Sequence, residues 1–183
     1  MQALLTLLWR AVTRCKLVDP QEKVHYVLFV GVWSRMVPPL TEGYFGNSVI
    51  ATIVTMRAGE LLEGGLAKGA LEMNKVISLH SGEKIKNHYE SWMRRPRLLM
   101  LPSGVAGSSY LITSSSPRFN IMGNDFGWGK PEAVRIGGGN ERNSMITLFG
   151  GAEEGSIDIV VDLPYWILEA LGNDAEFMDV VSN

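Results

Sequence analysis

The sequence predicts an α/β fold, and three observations carry that prediction. Segments rich in β-branched and aromatic residues alternate along the chain with segments whose apolar residues recur at helical spacing. One of the former, Val24 to Trp33 (VHYVLFVGVW), is nearly unbroken apolar, as a strand buried on both faces of a sheet must be. No linker, low-complexity run or repeat divides residues 1–183, so the alternation describes one domain, in keeping with the length of roughly 150 residues typical of one.

The elements follow in order. Leu4, Leu5, Leu8, Trp9, Val12 and Cys15 lie on one stripe of a 3.6-residue helix, which predicts a half-buried N-terminal helix. Met1 to Trp9 lacks a basic leader and is followed by Arg10, Arg14 and Lys16, so a signal peptide fits poorly. Asp19-Pro20 turns the chain into the Val24 to Trp33 strand. Pro38-Pro39 stops it, since neither residue can donate to a ladder. Ser48 to Met56 (SVIATIVTM) is the next strand. From Glu60 to Ile77 the period changes: Leu62, Leu66, Ala70, Met73 and Ile77 share one helical face, and Gly64, Gly65 and Gly69 mark a boundary or close packing. A further helix runs from Glu83 to Arg95 and ends at Pro96.

Pro102 to Ser109 reads as a Gly/Ser loop, and Tyr110 to Thr113 as a short strand entering Ser114, Ser115 and Ser116. Gly-rich turns at Gly123 to Gly129 and at Gly137 to Gly139 bracket an expected strand around Ala133 to Ile136. Met145 to Phe149 and Ser156 to Leu163 complete the strands; in the latter Ile157, Ile159 and Val161 share one face and Asp158 the other. Pro164 opens a helix that Gly172-Asn173 closes, and Asp174 caps a last turn carrying Phe177 and Val180.

Composition excludes several functions. Seventeen basic against nineteen acidic residues give a net charge of −2, without the broad basic surface that nucleic-acid binding requires. Cys15 is the single cysteine and no Asn-x-Ser/Thr acceptor occurs, which favours a reducing, cytoplasmic setting. No run approaches the roughly 18 apolar residues of a membrane span, and no membrane partner is expected. His25 sits in an apolar strand and reads as a core histidine, while His80 and His88 read as surface residues. Neither H-E-x-x-H nor C-x-x-C is present, so no metal site is expected, and no G-x-S-x-G elbow supports a serine hydrolase.

One run stands apart: Asn124-Asp125-Phe126-Gly127-Trp128-Gly129-Lys130-Pro131. Two glycines around an aromatic predict a tight loop with unusual backbone angles, holding Trp128 in one orientation. Two readings of Trp128 stand: an indole N–H aimed at a developing oxyanion, or a side chain of a purely structural loop whose Asp125 pairs with an arginine.

DFGWGKP (Asp125 to Pro131) resembles the second signature of the plant acyl-CoA-dependent acyltransferases known as the BAHD or HxxxD-type family. LLWRAVTR, WSRMVPPLTEGYFGNSV and GSIDIVVDLP resemble further blocks of that family in the same order, and SSSPRFN and EALGNDAEFMDVVS resemble its poorly characterised branch. The resemblance covers the C-terminal half of a two-domain enzyme and implies a chloramphenicol-acetyltransferase-like domain, a mixed β-sheet with flanking helices. It implies transfer of an acyl group from acyl-CoA, as co-substrate, to a hydroxyl or amine of a small plant secondary metabolite, with no bound cofactor. It also implies that Arg35 braces Asp125 in the loop of Phe126, Gly127, Trp128 and Gly129. Ser115, Arg118 and Phe119, with Trp128, would approach the CoA and acceptor channel.

Three departures qualify what the resemblance implies. The family's general-base histidine belongs to an H-x-x-x-D in the first domain, whereas His25, His80 and His88 are followed four residues later by Phe29, Lys84 and Trp92. Gly31-Val32-Trp33-Ser34-Arg35 replaces Asn-x-Arg-Ser-Arg, and Ser116 replaces a common Trp. A general base is worth about 10²–10⁴ in rate. The chain alone is therefore expected to be inactive, to expose an apolar face, and to take a first domain or a full-length relative as partner. The alternative is a non-catalytic CoA-binding or partner-binding module.

Overall fold

The structure is a computed structural model and describes residues 1–98, 110–114, 116–136, 144–153 and 155–181. Its elements are α1 (Gln2–Cys15), β1 (Lys23–Gly31), a 3₁₀ turn (Trp33–Arg35), β2 (Val49–Arg57), α2 (Ala58–Glu63), α3 (Gly65–Ser78), α4 (Gly82–Arg94), β3 (Tyr110–Ser114), β4 (Met145–Gly150), β5 (Ile157–Asp162), α5 (Tyr165–Gly172) and α6 (Ala175–Val181). The five strands form one sheet in the order β2-β1-β3-β4-β5. The β1–β3 and β3–β4 pairs are parallel and the two outer pairs antiparallel, so the sheet is mixed, as expected.

The helices pack on one face of this sheet. Val24, Tyr26 and Leu28 alternate along β1, share a face with Val54, Leu111, Ile146 and Leu148, and meet Leu8, Trp9, Met73 and Ile167 in the main core. Trp9 stands edge-on to Tyr26, with centroids 5.5 Å apart. The Tyr26 hydroxyl satisfies itself within this apolar layer by hydrogen bonding to Thr113. Burial pushes that phenol well above its ordinary range.

Several helices differ from expectation. α1 is buried continuously from Leu5 to Thr13 rather than along one stripe, because α2, α3, α5 and α6 all pack around it. The expected Glu60 to Ile77 helix breaks at Gly64, and Gly65 takes φ +70°. Within α3 the buried positions are Gly69 and Met73, while Leu66 faces solvent. The cause is a close crossing with α1: a Cβ on Gly69 would lie 2.5 Å from the Thr6 methyl. α4, capped by the Ser81 hydroxyl, buries Ile85 in a small second cluster with Val32 and Ile50.

The expected strand around Ala133 to Ile136 is not formed; these residues are irregular and pair with no described strand. Their β-branched character lacks what a strand needs, a ladder partner. At the C-terminus the Asp174 cap is present, accepting from the Phe177 N–H at 2.7 Å. Asp174 also receives two hydrogen bonds from Arg14, both at 2.7 Å, and Glu176 pairs with Arg10 and Arg14 at 3.0 Å. These pairs tie α6 to α1.

Candidate functional site

Because β1, β3 and β4 run parallel, their C-terminal ends, Gly31, Ser114 and Gly150, lie at one end of the sheet. The segments leaving β1 (residues 32–48) and β3 (residues 116–136) therefore emerge together. Such an end is where α/β sheets place their functional loops. The two segments touch: the Phe119 ring lies edge-on to Trp33 with centroids 6.5 Å apart. Ser116 organises the start of the second segment, its hydroxyl accepting from the Arg118 N–H at 3.2 Å and its carbonyl from the Phe119 N–H at 3.1 Å. Arg118 and Phe119 are exposed. Ser115 lies outside the described residues.

The Asp125 loop is self-contained. One carboxylate oxygen accepts from the backbone N–H of Gly127 at 2.7 Å and of Gly129 at 3.2 Å. Gly127 and Gly129 take φ of +93° and +101°, which a side chain would strain. The expected Asp125–Arg35 brace is absent. Arg35 instead donates to the carbonyls of Ile77 at 2.8 Å and His80 at 3.2 Å, closing the C-terminal end of α3. The loop's own N–H groups thus hold Asp125 Oδ1, and the carbonyls at the end of α3 hold Arg35. Phe126 and Trp128 project outward, 81% and 94% exposed. The indole of Trp128 is thus not aimed into any site formed by the described residues.

The second component is the sheet face opposite the helices. The pleat directs His25, Val27 and Phe29 there, opposite Thr55, Ile53 and Ala51 of β2. Phe29 is 44% and Ile53 42% exposed, an apolar surface on a face that no residue of the main core reaches. His25 belongs to this face rather than to the core. Its Nδ1 is hydrogen-bonded to the Thr55 hydroxyl at 2.9 Å and its ring stacks on Tyr110 at 4.5 Å. Partial burial, and then the charge of Lys23, lower its pKa from 6.5, favouring the neutral ring. The strand alternation of residues 25, 27 and 29 was the signal for this face.

Other candidate chemistry is sparse. Burial raises the Cys15 thiol pKa, which disfavours a thiolate nucleophile. Among the described residues no group of three or more His, Cys, Asp or Glu could hold a metal ion, and no helix is long and apolar enough to cross a membrane.

Comparison with known proteins adds to this geometry. The model of the Transferase family matches residues 1–178. An uncharacterized acetyltransferase of Arabidopsis thaliana is 35% identical over 181 residues, spanning 98% of this chain and 41% of the relative. BAHD acyltransferase DCR of the same plant is 34% identical, spanning 97% of this chain and 36% of the relative. The chain thus spans about two-fifths of the length of these relatives. Among solved structures, F. sporotrichioides TRI101 complexed with coenzyme A and T-2 superposes with a TM-score of 0.84 at 19% identity, over 97% of this chain and 42% of that one. Vinorine synthase superposes at 0.65 and 15% identity, over 92% of this chain and 39% of that one. The fold is accordingly the chloramphenicol-acetyltransferase-like one. The chain belongs to the transferase family of BAHD acyltransferases.

Proposed function

We propose that this chain is the C-terminal half of an acyl-CoA-dependent acyltransferase, working with a segment that supplies the H-x-x-x-D histidine. The observation that carries the reading is the family match over residues 1–178 in a chain spanning about two-fifths of its relatives. The sheet face turned away from the main core, where Phe29 and Ile53 are exposed, supports it, because such a surface suits burial against a second body. In the reaction, the acceptor's oxygen or nitrogen attacks the thioester carbonyl as the general base takes its proton. The C–S bond then breaks and the CoA sulfur leaves, receiving that proton. The segments 32–48 and 116–136 would form one wall of the channel, with Arg118 and Phe119 toward CoA and acceptor. The setting is the cytoplasm and the acceptor a small plant metabolite.

The test is complementation. The chain alone, given acetyl-CoA with alcohols and amines, is expected to release no CoA thiol, whereas co-synthesis with the N-terminal part of DCR restores release. Trp128→Ala should leave the chain's melting temperature unchanged, since its side chain is exposed, and lower turnover in the assembled pair. Turnover by the isolated chain would overturn the reading. Calorimetric binding of CoA by a chain that never complements would instead establish the non-catalytic module.

A further inference from the structure

The acyl-transfer reading leaves the last turn of α4 and the residues after it unused. Ile85, Tyr89 and Trp92 follow one helical stripe that begins in the second core cluster and runs out of it: Ile85 is buried, while Trp92 is 46% exposed. Met93 and Leu98 beside it are exposed apolar side chains. Arg94, Arg95 and Arg97 lie among them, also exposed. The Trp92 Nε1–H donates to the Arg97 carbonyl at 2.9 Å, and Arg97 Nη2 donates to the Ser91 hydroxyl at 3.1 Å. The chain beyond the helix therefore folds back on its last turn and sets the indole beside the arginines. Glu90 is shared between Arg94 at 3.4 Å and Lys86 at 3.9 Å, so it offsets only part of this charge. In a chain of net charge −2 the patch is a local concentration of cations.

From this juxtaposition we infer that the C-terminal end of α4 is a docking site for an anionic lipid surface. Arginines there meet phosphate headgroups, while Trp92, Met93 and Leu98 enter the boundary beneath them. An indole with its N–H satisfied and its ring exposed suits that boundary. An acidic protein surface would answer the arginines but leave Met93 and Leu98 facing polar groups. The attachment is peripheral, at the far end of the helix whose Ile85 and Tyr89 pack with Val32 and Met36 of the segment leaving β1.

The experiment is sedimentation of the purified chain with phosphatidylcholine vesicles, with and without phosphatidylserine. Binding is expected only to the anionic vesicles and weakens with salt. Each basic residue near such a surface contributes about fivefold, so R94E/R95E/R97E is expected to weaken binding by about a hundredfold or more. Arg95→Glu alone, should the triple variant misfold, is expected to weaken it at least about fivefold. Trp92→Ala should reduce binding while keeping its salt dependence, and Phe29→Ala should leave it unchanged. Equal binding to pure phosphatidylcholine, or binding untouched by the arginine variants, would overturn the proposal. So would arginine-dependent affinity for inorganic pyrophosphate without affinity for the vesicles.

Discussion

Asp174→Ala tests how the C-terminal helix is held. Asp174 accepts two hydrogen bonds from Arg14 at 2.7 Å and caps α6 through the Phe177 N–H at 2.7 Å, with its side chain 12% exposed. Losing the paired charge-assisted bonds costs about 1.5–3 kcal/mol, and losing the cap about 1 kcal/mol. The expected loss is therefore about 3 kcal/mol, or a fall in melting temperature of about 6–12 °C for a chain of this size. Asp174→Asn keeps the cap without the charge and should lose less. Urea unfolding of Asp174→Ala, Arg14→Met and the double variant isolates the pair, with an expected coupling of about 1.5 kcal/mol. The Arg14 bond, and then the Phe177 N–H, lower the Asp174 pKa from 3.8 against the opposing effect of burial. The folded form thus binds its proton less readily than the unfolded one, so this stabilisation is present above about pH 4 and is lost as pH falls through the folded pKa. A loss below about 0.5 kcal/mol at neutral pH, or equal effects of Ala and Asn, would refute the reasoning.

Two further predictions concern packing and titration. Gly69→Val should destabilise by about 2 kcal/mol, because its Cβ would press on the buried Thr6 methyl, whereas Gly172→Ala, with open space around it, should be neutral or slightly stabilising; chemical denaturation compares them. His25 should titrate below 6.5 by NMR, and because its folded pKa is lowered, its contribution to stability should rise as pH increases through that region; His25→Gln should remove this dependence.

How much of this was legible depends on where each residue finds its partners. β1 was readable as a strand from its continuous apolar run, but not as one buried on both faces, since Phe29 is 44% exposed on the side away from the main core; the Asp174 cap was readable because its acceptor and donor are three residues apart. Ala133 to Ile136 has the same β-branched look, yet strand formation is decided by a neighbour that local composition does not name. The Arg35–Asp125 brace failed for a similar reason. One oxygen of Asp125 accepts from N–H groups two and four residues onward, and Arg35 finds carbonyls at the end of a helix over forty residues away. The Arg10 and Arg14 ties to α6 span about 160 residues, and sequence spacing carries no sign of them. The loop's positive-φ glycines, by contrast, were foreseeable from composition alone.

The position of β3 governs how this chain can be made. His25 of β1 pairs with Tyr110 of β3, and the three helices α2, α3 and α4 intervene. Until Tyr110 has been synthesised, β1 can pair only with β2 and presents its other edge, with unmet N–H and C=O groups, to whatever is nearby. At about 5–20 residues per second, that edge stays open for seconds on every ribosome. Parallel pairing across so long a loop is also slow to close. An inner edge of the sheet therefore stays open long after its own strand has been made, until a partner nearly eighty residues further along the chain arrives to cover it.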